Sequence, residues 1–200
     1  MIEATSSSTT TSTTAAARAV PADGGPASAG AKEGPEALFT RWVREHSGLV
    51  FKVARAFAPG EADREDLGQE ILVQLWRSLP RYEGKSREST WIYRVALNTA
   101  LAWRRGETKR RAPEALLVAI EELPEPDDPA WREREALVER LYVAIRQLPK
   151  VDAALVLLYL DDLGYREMAE VLGISETNVG VKLNRARKTL ASLMKEVSHD

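Results

Sequence analysis

The segment from Tyr165 to Leu193 constrains this chain more than any other. An apolar-periodic stretch with Met168, Ala169 and Leu172 runs into Gly173-Ile174-Ser175. A second stretch follows with Val179, Leu183, Ala186, Leu190 and Leu193. Steps of four and three put those five side chains on one helical face. The other face carries Lys182, Arg185, Arg187 and Lys188, with Asn184 beside them. Two helices across a tight glycine turn, the second one basic, form a helix-turn-helix suited to the DNA major groove. Ser175 stands where it can cap the second helix and leave that helix's first amides facing a phosphate.

Bulk charge says little, since the 200-residue chain carries a formal charge of -2. Its distribution says more. Residues 38–105 hold 12 basic against 8 acidic side chains, residues 106–135 hold 5 against 9, and residues 176–195 hold 5 against 1. Two basic patches around an acidic spacer suit a protein that meets DNA in two places, and ordinary solvated helix faces are the plain alternative. The chain has no cysteine, which excludes disulfides, thiolate metal sites and cysteine nucleophiles. Its two histidines, His46 and His199, stand far apart, and no glycine-rich phosphate loop or metal-spaced cluster is present. Neither catalysis nor a cofactor is expected. No apolar run approaches the roughly 20 residues of a membrane span. The N-terminus lacks a basic segment followed by an apolar one, so a cytoplasmic location is expected.

Residues 1–35 are almost entirely Ser, Thr, Ala, Gly and Pro, a composition that predicts a disordered tail. Helical periodicity begins at Leu38–Phe57 and stops at Pro59-Gly60. It resumes over Asp63–Leu79, where Leu67, Ile71, Leu72, Leu75, Trp76 and Leu79 share a stripe closed by Pro80. A polar loop, Tyr82–Ser89, leads to a third helix over Thr90–Arg105. Residues 107–130, with four prolines among many acids, read as a linker, in which Leu116–Ile120 has short helical spacing. Helical pattern returns at Ala130–Gln147 and Val151–Leu160, and the helix-turn-helix follows. No segment alternates as a strand would. The expectation is an all-α chain with two small helical domains, residues 36–106 and 131–196, on a flexible acidic tether.

Two blocks carry a family likeness: EDLGQEILVQLWRSLPRYEGKSRESTWIYRVALNTALAWRR from Glu65 to Arg105, and LPKVDAALVLLYLDDLGYREMAEVLGISETNVGVKLNRARKTL from Leu148 to Leu190. In order and separation they resemble domains two and four of bacterial RNA polymerase sigma factors of the sigma-70 family, extracytoplasmic-function (ECF) group. The resemblance implies a subunit that binds core RNA polymerase and directs promoter-specific initiation without bond chemistry. Asp66, Gln69, Glu70, Gln74 and Arg77 would face the polymerase, on the surface opposite the Leu67/Ile71/Leu75 stripe. Lys85, Arg87, Arg94, Arg104 and Arg105 would hold the phosphates of the melted -10 strand. Tyr82, Trp91 and Tyr93 are candidate pocket walls, with Trp91 better suited to the core than to base stacking, and Asn98 is equally a candidate base contact and a plain structural residue. In the duplex -35 element, Ser175, Thr177 and Asn178 lead into the groove, and Gly180, Val181, Asn184 and Arg185 occupy base-facing positions. Arg185 can pair with guanine, Asn184 with adenine, and Val181 can touch a thymine methyl. Lys182, Arg187 and Lys188 would meet phosphates. The acidic linker would follow the polymerase's RNA exit path or serve as an inert tether. An anti-sigma protein that clamps both domains is a further partner the resemblance implies.

The chain departs from the family pattern at Lys85, where an acid is common, at Glu88, where an aromatic is common, and at Gly180, where a basic residue is common. A glycine inside a helix costs ~1 kcal/mol relative to alanine, so close approach of backbone to DNA and simple drift are both open readings. Two rivals also stand: a dimeric helix-turn-helix regulator that binds duplex operator alone, and a helical adaptor that binds no DNA.

Overall fold

The computed structural model describes residues 34–104, 106 and 128–196. Arg105, most of the tail, and residues 107–127 of the linker, with the short helical stretch at 116–120, lie outside them. Every regular element among the described residues is helical.

The chain begins its first helix, α1 (Pro35–Phe57), with proline at a position whose amide would be unpaired in any case. It stops at Ala58-Pro59, where proline disfavours helical geometry in the residue before it. Helix α2 (Glu61–Ser78) then runs into a 3-10 turn, Leu79–Arg81, so Pro80 tightens the helix end rather than closing it at once. Helix α3 (Glu88–Trp103) starts two residues earlier than the apolar pattern predicts. The reason is Glu88, whose carboxylate accepts from both Nη nitrogens of Arg41 on α1, at 2.7 and 2.8 Å, and adds negative charge to the helix's first turn. The three helices bury Trp42, Val53, Leu67, Ile71, Ile92 and Leu97 between them. Trp76, placed on the apolar stripe by its spacing, is instead 39% exposed and meets Phe39 edge-on at 5.2 Å.

Helix α4 (Pro129–Gln147) is capped by Asp128, whose side chain accepts from the Ala130 amide at 3.0 Å. Helix α5 (Lys150–Leu160) buries every residue from Asp152 to Leu158, which explains its unbroken apolar run. Helices α6 (Tyr165–Leu172) and α7 (Glu176–Glu196) cross over it. Between them Gly173 holds φ +66°, a left-handed geometry that side-chain-bearing residues adopt only with strain. The last four helices also pack on the first three. Helix α3 lies against α6, and α1 lies against α4 and α5.

Candidate nucleic-acid interface

The second helix of the helix-turn-helix is anchored by its apolar side. Val179, Leu183 and Ala186 are buried under α5 and α6. Ser175 caps the helix, its Oγ accepting from the Asn178 amide at 3.3 Å. Thr177, Asn178, Val181, Asn184, Arg185, Arg187 and Lys188 are exposed, and Lys182 is half-buried. Val181, Asn184, Arg185 and Lys188 follow helical spacing and form one outward stripe. Val181 is 67% exposed, an apolar side chain offered to solvent at the N-terminal end of that stripe. Gly180 lies half-buried beside Tyr165 of α6. A Cβ there would sit 3.5 Å from the ring, an ordinary contact, so space alone does not demand glycine.

Two cations of this helix have partners. The Arg187 guanidinium lies over the Tyr159 ring, 4.8 Å from its centroid. Arg185 donates from Nη2 to Asp152 of α5 at 3.0 Å.

Helix α3 and the loop before it are placed differently. Lys85 is exposed and pairs with Glu83. Arg87 meets Glu167 of α6 at 3.2 Å. Arg94 donates to both the carbonyl and the carboxylate of Glu170 on α6, at 3.0 and 3.1 Å. Trp91 is half-buried and tied inward, its Nε1 donating to Ser78 Oγ at 3.1 Å and its ring tilted against Tyr82. Tyr82 packs edge-on to Trp42 and donates to the Ser86 carbonyl. Tyr93, named above as a pocket wall, is buried and donates to Asp161. Burial, followed by the bond to that carboxylate, pushes its hydroxyl far above the usual tyrosine range. Arg104 donates to the Arg146 carbonyl at 3.4 Å and lies 5.8 Å from the Phe57 centroid. Asn98 is exposed, on a groove between α2 and α3 that Glu70, Gln74, Arg77 and Thr99 also line.

On α2, Asp66 and Arg77 are exposed and Gln69 and Gln74 half-buried. Glu70 corrects the expectation of a fully exposed polar face. It is 8% exposed and accepts from Gln74 Nε2 at 2.7 Å. Because α2 packs on both α1 and α3, its buried arc widens beyond the predicted stripe to take in Gly68, Glu70 and Val73.

The acids that receive the basic groups escaped the sequence reading. Lys52 meets Asp161 at 2.5 Å, and Arg55 meets Glu135 at 2.5 Å and Glu139 at 2.8 Å. Arg64 reaches Glu139 at 3.4 Å, and Arg146 meets it at 2.8 Å. Burial works against the Arg55 charge, but hydrogen bonds to Glu135 and Glu139 outweigh it and raise the pKa. The only signal in the sequence was an excess of acid in and after the linker. Apart from Arg146 and Glu139 on one helix, these partners stand 68 to 109 residues apart and leave no periodic trace.

Comparison with known proteins adds a frame. Residues 42–110 match the family model described as Sigma-70 region 2, and residues 138–190 match Sigma-70, region 4. The chain is 29% identical over 174 residues to ECF RNA polymerase sigma factor SigE of Mycolicibacterium smegmatis, covering 84% of this chain and 66% of that protein. It is 27% identical over 171 residues to the ECF RNA polymerase sigma-E factor of Escherichia coli K12, covering 80% of this chain and 87% of that one. With SigG of Mycobacterium tuberculosis it shares 33% over 155 residues, 66% of this chain but 42% of the relative. Among solved structures, RpoE in complex with the anti-sigma factor NepR from Bartonella quintana superposes with a TM-score of 0.58 at 17% identity, covering 78% of this chain and 96% of that one. CnrH in complex with the cytosolic domain of CnrY gives 0.56 at 23%, covering 79% and 88%. At such identities the shared property is the fold.

Proposed function

The chain belongs to the sigma-70 family of RNA polymerase sigma factors, in the extracytoplasmic-function group, and from that premise we propose the division of labour among its helices. It binds core RNA polymerase and directs promoter-specific initiation. Helix α7 reads the duplex -35 element through the stripe of Val181, Asn184, Arg185 and Lys188, with Lys182 and Arg187 toward phosphates. Helix α3 and its loop capture the melted -10 strand, with Lys85, Arg87, Arg94 and Arg104 as cations and Asn98 toward a base. The outer face of α2, with Asp66, Gln69, Gln74 and Arg77, meets the polymerase. The protein makes and breaks no bonds; it lowers the cost of melting by holding bases out of the stack. It acts in the cytoplasm, and an anti-sigma protein is an expected partner. No helix among the described residues is long and apolar enough to cross a membrane.

One observation carries this reading: the two matched regions contain the two helices that offer basic and base-reading groups, α3 and α7. The docked arrangement also sets a condition. The -35 and -10 elements lie roughly 85 Å apart at 3.4 Å per base pair. A compact unit of this size has a radius of gyration of about 15 Å. The two readers therefore part when both are on the promoter, and the linker spans the gap.

In vitro transcription with core polymerase over a random promoter library tests the proposal. The expected result is initiation dependent on this protein, from templates enriched in two spaced motifs. Specific binding to duplex DNA by the protein alone, with no stimulation of core polymerase, would overturn it in favour of a dimeric regulator.

A further inference from the structure

Asp152 stands out on α5 because its side chain is buried while that of its partner, Arg185, is not. The Asp152 side chain is 4% exposed and that of Arg185 is 64% exposed. A surface ion pair between two flexible side chains holds neither in place. Here one end is fixed inside the fold, in the first turn of a helix packed on α7. A buried carboxylate needs its partner, so the guanidinium is kept where Asp152 puts it.

We propose that Asp152 is a positioning residue that makes Arg185 a base reader rather than a phosphate clamp, an inference that rests on the assignment of α7 to the -35 element. Two physical consequences support it. First, a guanidinium has five donors, and one held by Asp152 leaves others for the O6 and N7 of guanine. Its orientation is set before DNA arrives, so little side-chain freedom is lost on binding. Second, the pair has no net charge. Its attraction for phosphate, which falls off as simple Coulomb energy, is largely cancelled. Its directional hydrogen bonds to a base edge are not. Lys182 and Lys188 pair with no carboxylate among the described residues and keep their full pull on the backbone. The carboxylate thus sorts the cations of one helix into a reader and its clamps.

The test uses holoenzyme reconstituted with wild type, Asp152→Asn, Arg185→Ala, Lys188→Ala and the Asp152→Asn/Arg185→Ala double variant. Binding and initiation are measured on promoters with each -35 base pair changed in turn, over a range of salt. Wild type should prefer one base at one position about tenfold or more, and Arg185→Ala should erase that preference. Asp152→Asn should weaken the same preference and no other, and add nothing in the double variant. It should also steepen the salt dependence by about one counterion, because the pair gains a net positive charge, while Lys188→Ala makes it shallower by about one. A uniform fall at every -35 position, with salt dependence unchanged, would mean that Asp152 only stabilises the domain, and would overturn the proposal. If Arg185→Ala alters no base preference, the assignment of Arg185 to the groove fails, and the inference falls with it. Should Asp152→Asn fold poorly, the wild-type protein still decides. Slow rotation of the Arg185 guanidinium by nitrogen NMR supports the proposal, and rotation as fast as that of Arg166, an exposed arginine on α6, refutes it.

Discussion

Helices α3 and α7 carry similar equipment and are partnered differently. Both bury one apolar face and offer cations on the other. On α7 the outward stripe is open to solvent, and Asp152, the carboxylate paired with it, comes from beneath, from its own domain. At α3 the cations are paired across to other helices, with Arg94 half-buried and Arg87 still exposed. Arg87 and Arg94 pair with Glu167 and Glu170, and Tyr93 lies buried against Asp161, all from the other matched region. The carboxylates of α6 are the partners that the proposed -10 phosphates would have to replace. The difference teaches that composition shows where the cations lie, while tertiary contacts decide which acids hold them.

The strongest way to break this comparison is to remove the open face. Lys182→Ala, Arg185→Ala and Lys188→Ala together should cut transcription from -35-dependent promoters on the order of 100-fold. Unchanged output in a reconstituted assay would make α7 a mere scaffold.

A second change should uncover the closed face. Glu170→Lys with Glu167→Gln removes the carboxylates that hold Arg94 and Arg87. The glutamine retains an oxygen for the Gly164 amide, which Glu167 now caps at 3.0 Å. Each exposed pair is worth a few tenths to about 1 kcal/mol, so affinity of the free protein for single-stranded -10 DNA should rise about tenfold at low salt. Fluorescence anisotropy would show it, and no gain would mean that α6 does not mask α3.

The smallest effect concerns pH. Burial raises the Glu139 pKa, but hydrogen bonds from Arg146 and Arg55 outweigh it and hold the carboxyl below the usual glutamate value. A depressed carboxylate contributes stability above its ordinary pKa of about 4.3, and that contribution is lost as pH falls through the lower value. Energy transfer between labels on α1 and α4 should therefore drop a few-fold between pH 5 and pH 3. Glu139→Gln should begin looser at pH 7 and lose less across that window. An identical response in both proteins would remove Glu139 from the docking contact.

Much of the fold was legible because it is local. Period and punctuation placed all seven α-helices of the described residues: Pro59-Gly60 ended α1, Gly173 turned the chain, and Val179, Leu183 and Ala186 showed which side of α7 faces inward. The misplacements share one cause. Glu70 and Trp76 sit where two neighbours compete for one helix, and a single-helix pattern cannot state how wide the buried arc becomes. Glu88 began α3 early through a bond to Arg41, 47 residues away.

The candidate site divides the same way. Its cations, its amide groups and its capping serine follow from residue type and helical spacing, which the chain carries along its own length. Pairing of Arg185 with Asp152, burial of Tyr93 and neutralisation of Arg87 and Arg94 depend on residues 33 to 80 positions apart. Electrostatic energy depends on distance through space and on burial, and neither is written in the order of residues. The sequence by itself determined which faces carry the cations; the packing of helices alone decided which of them are paired with a distant acid.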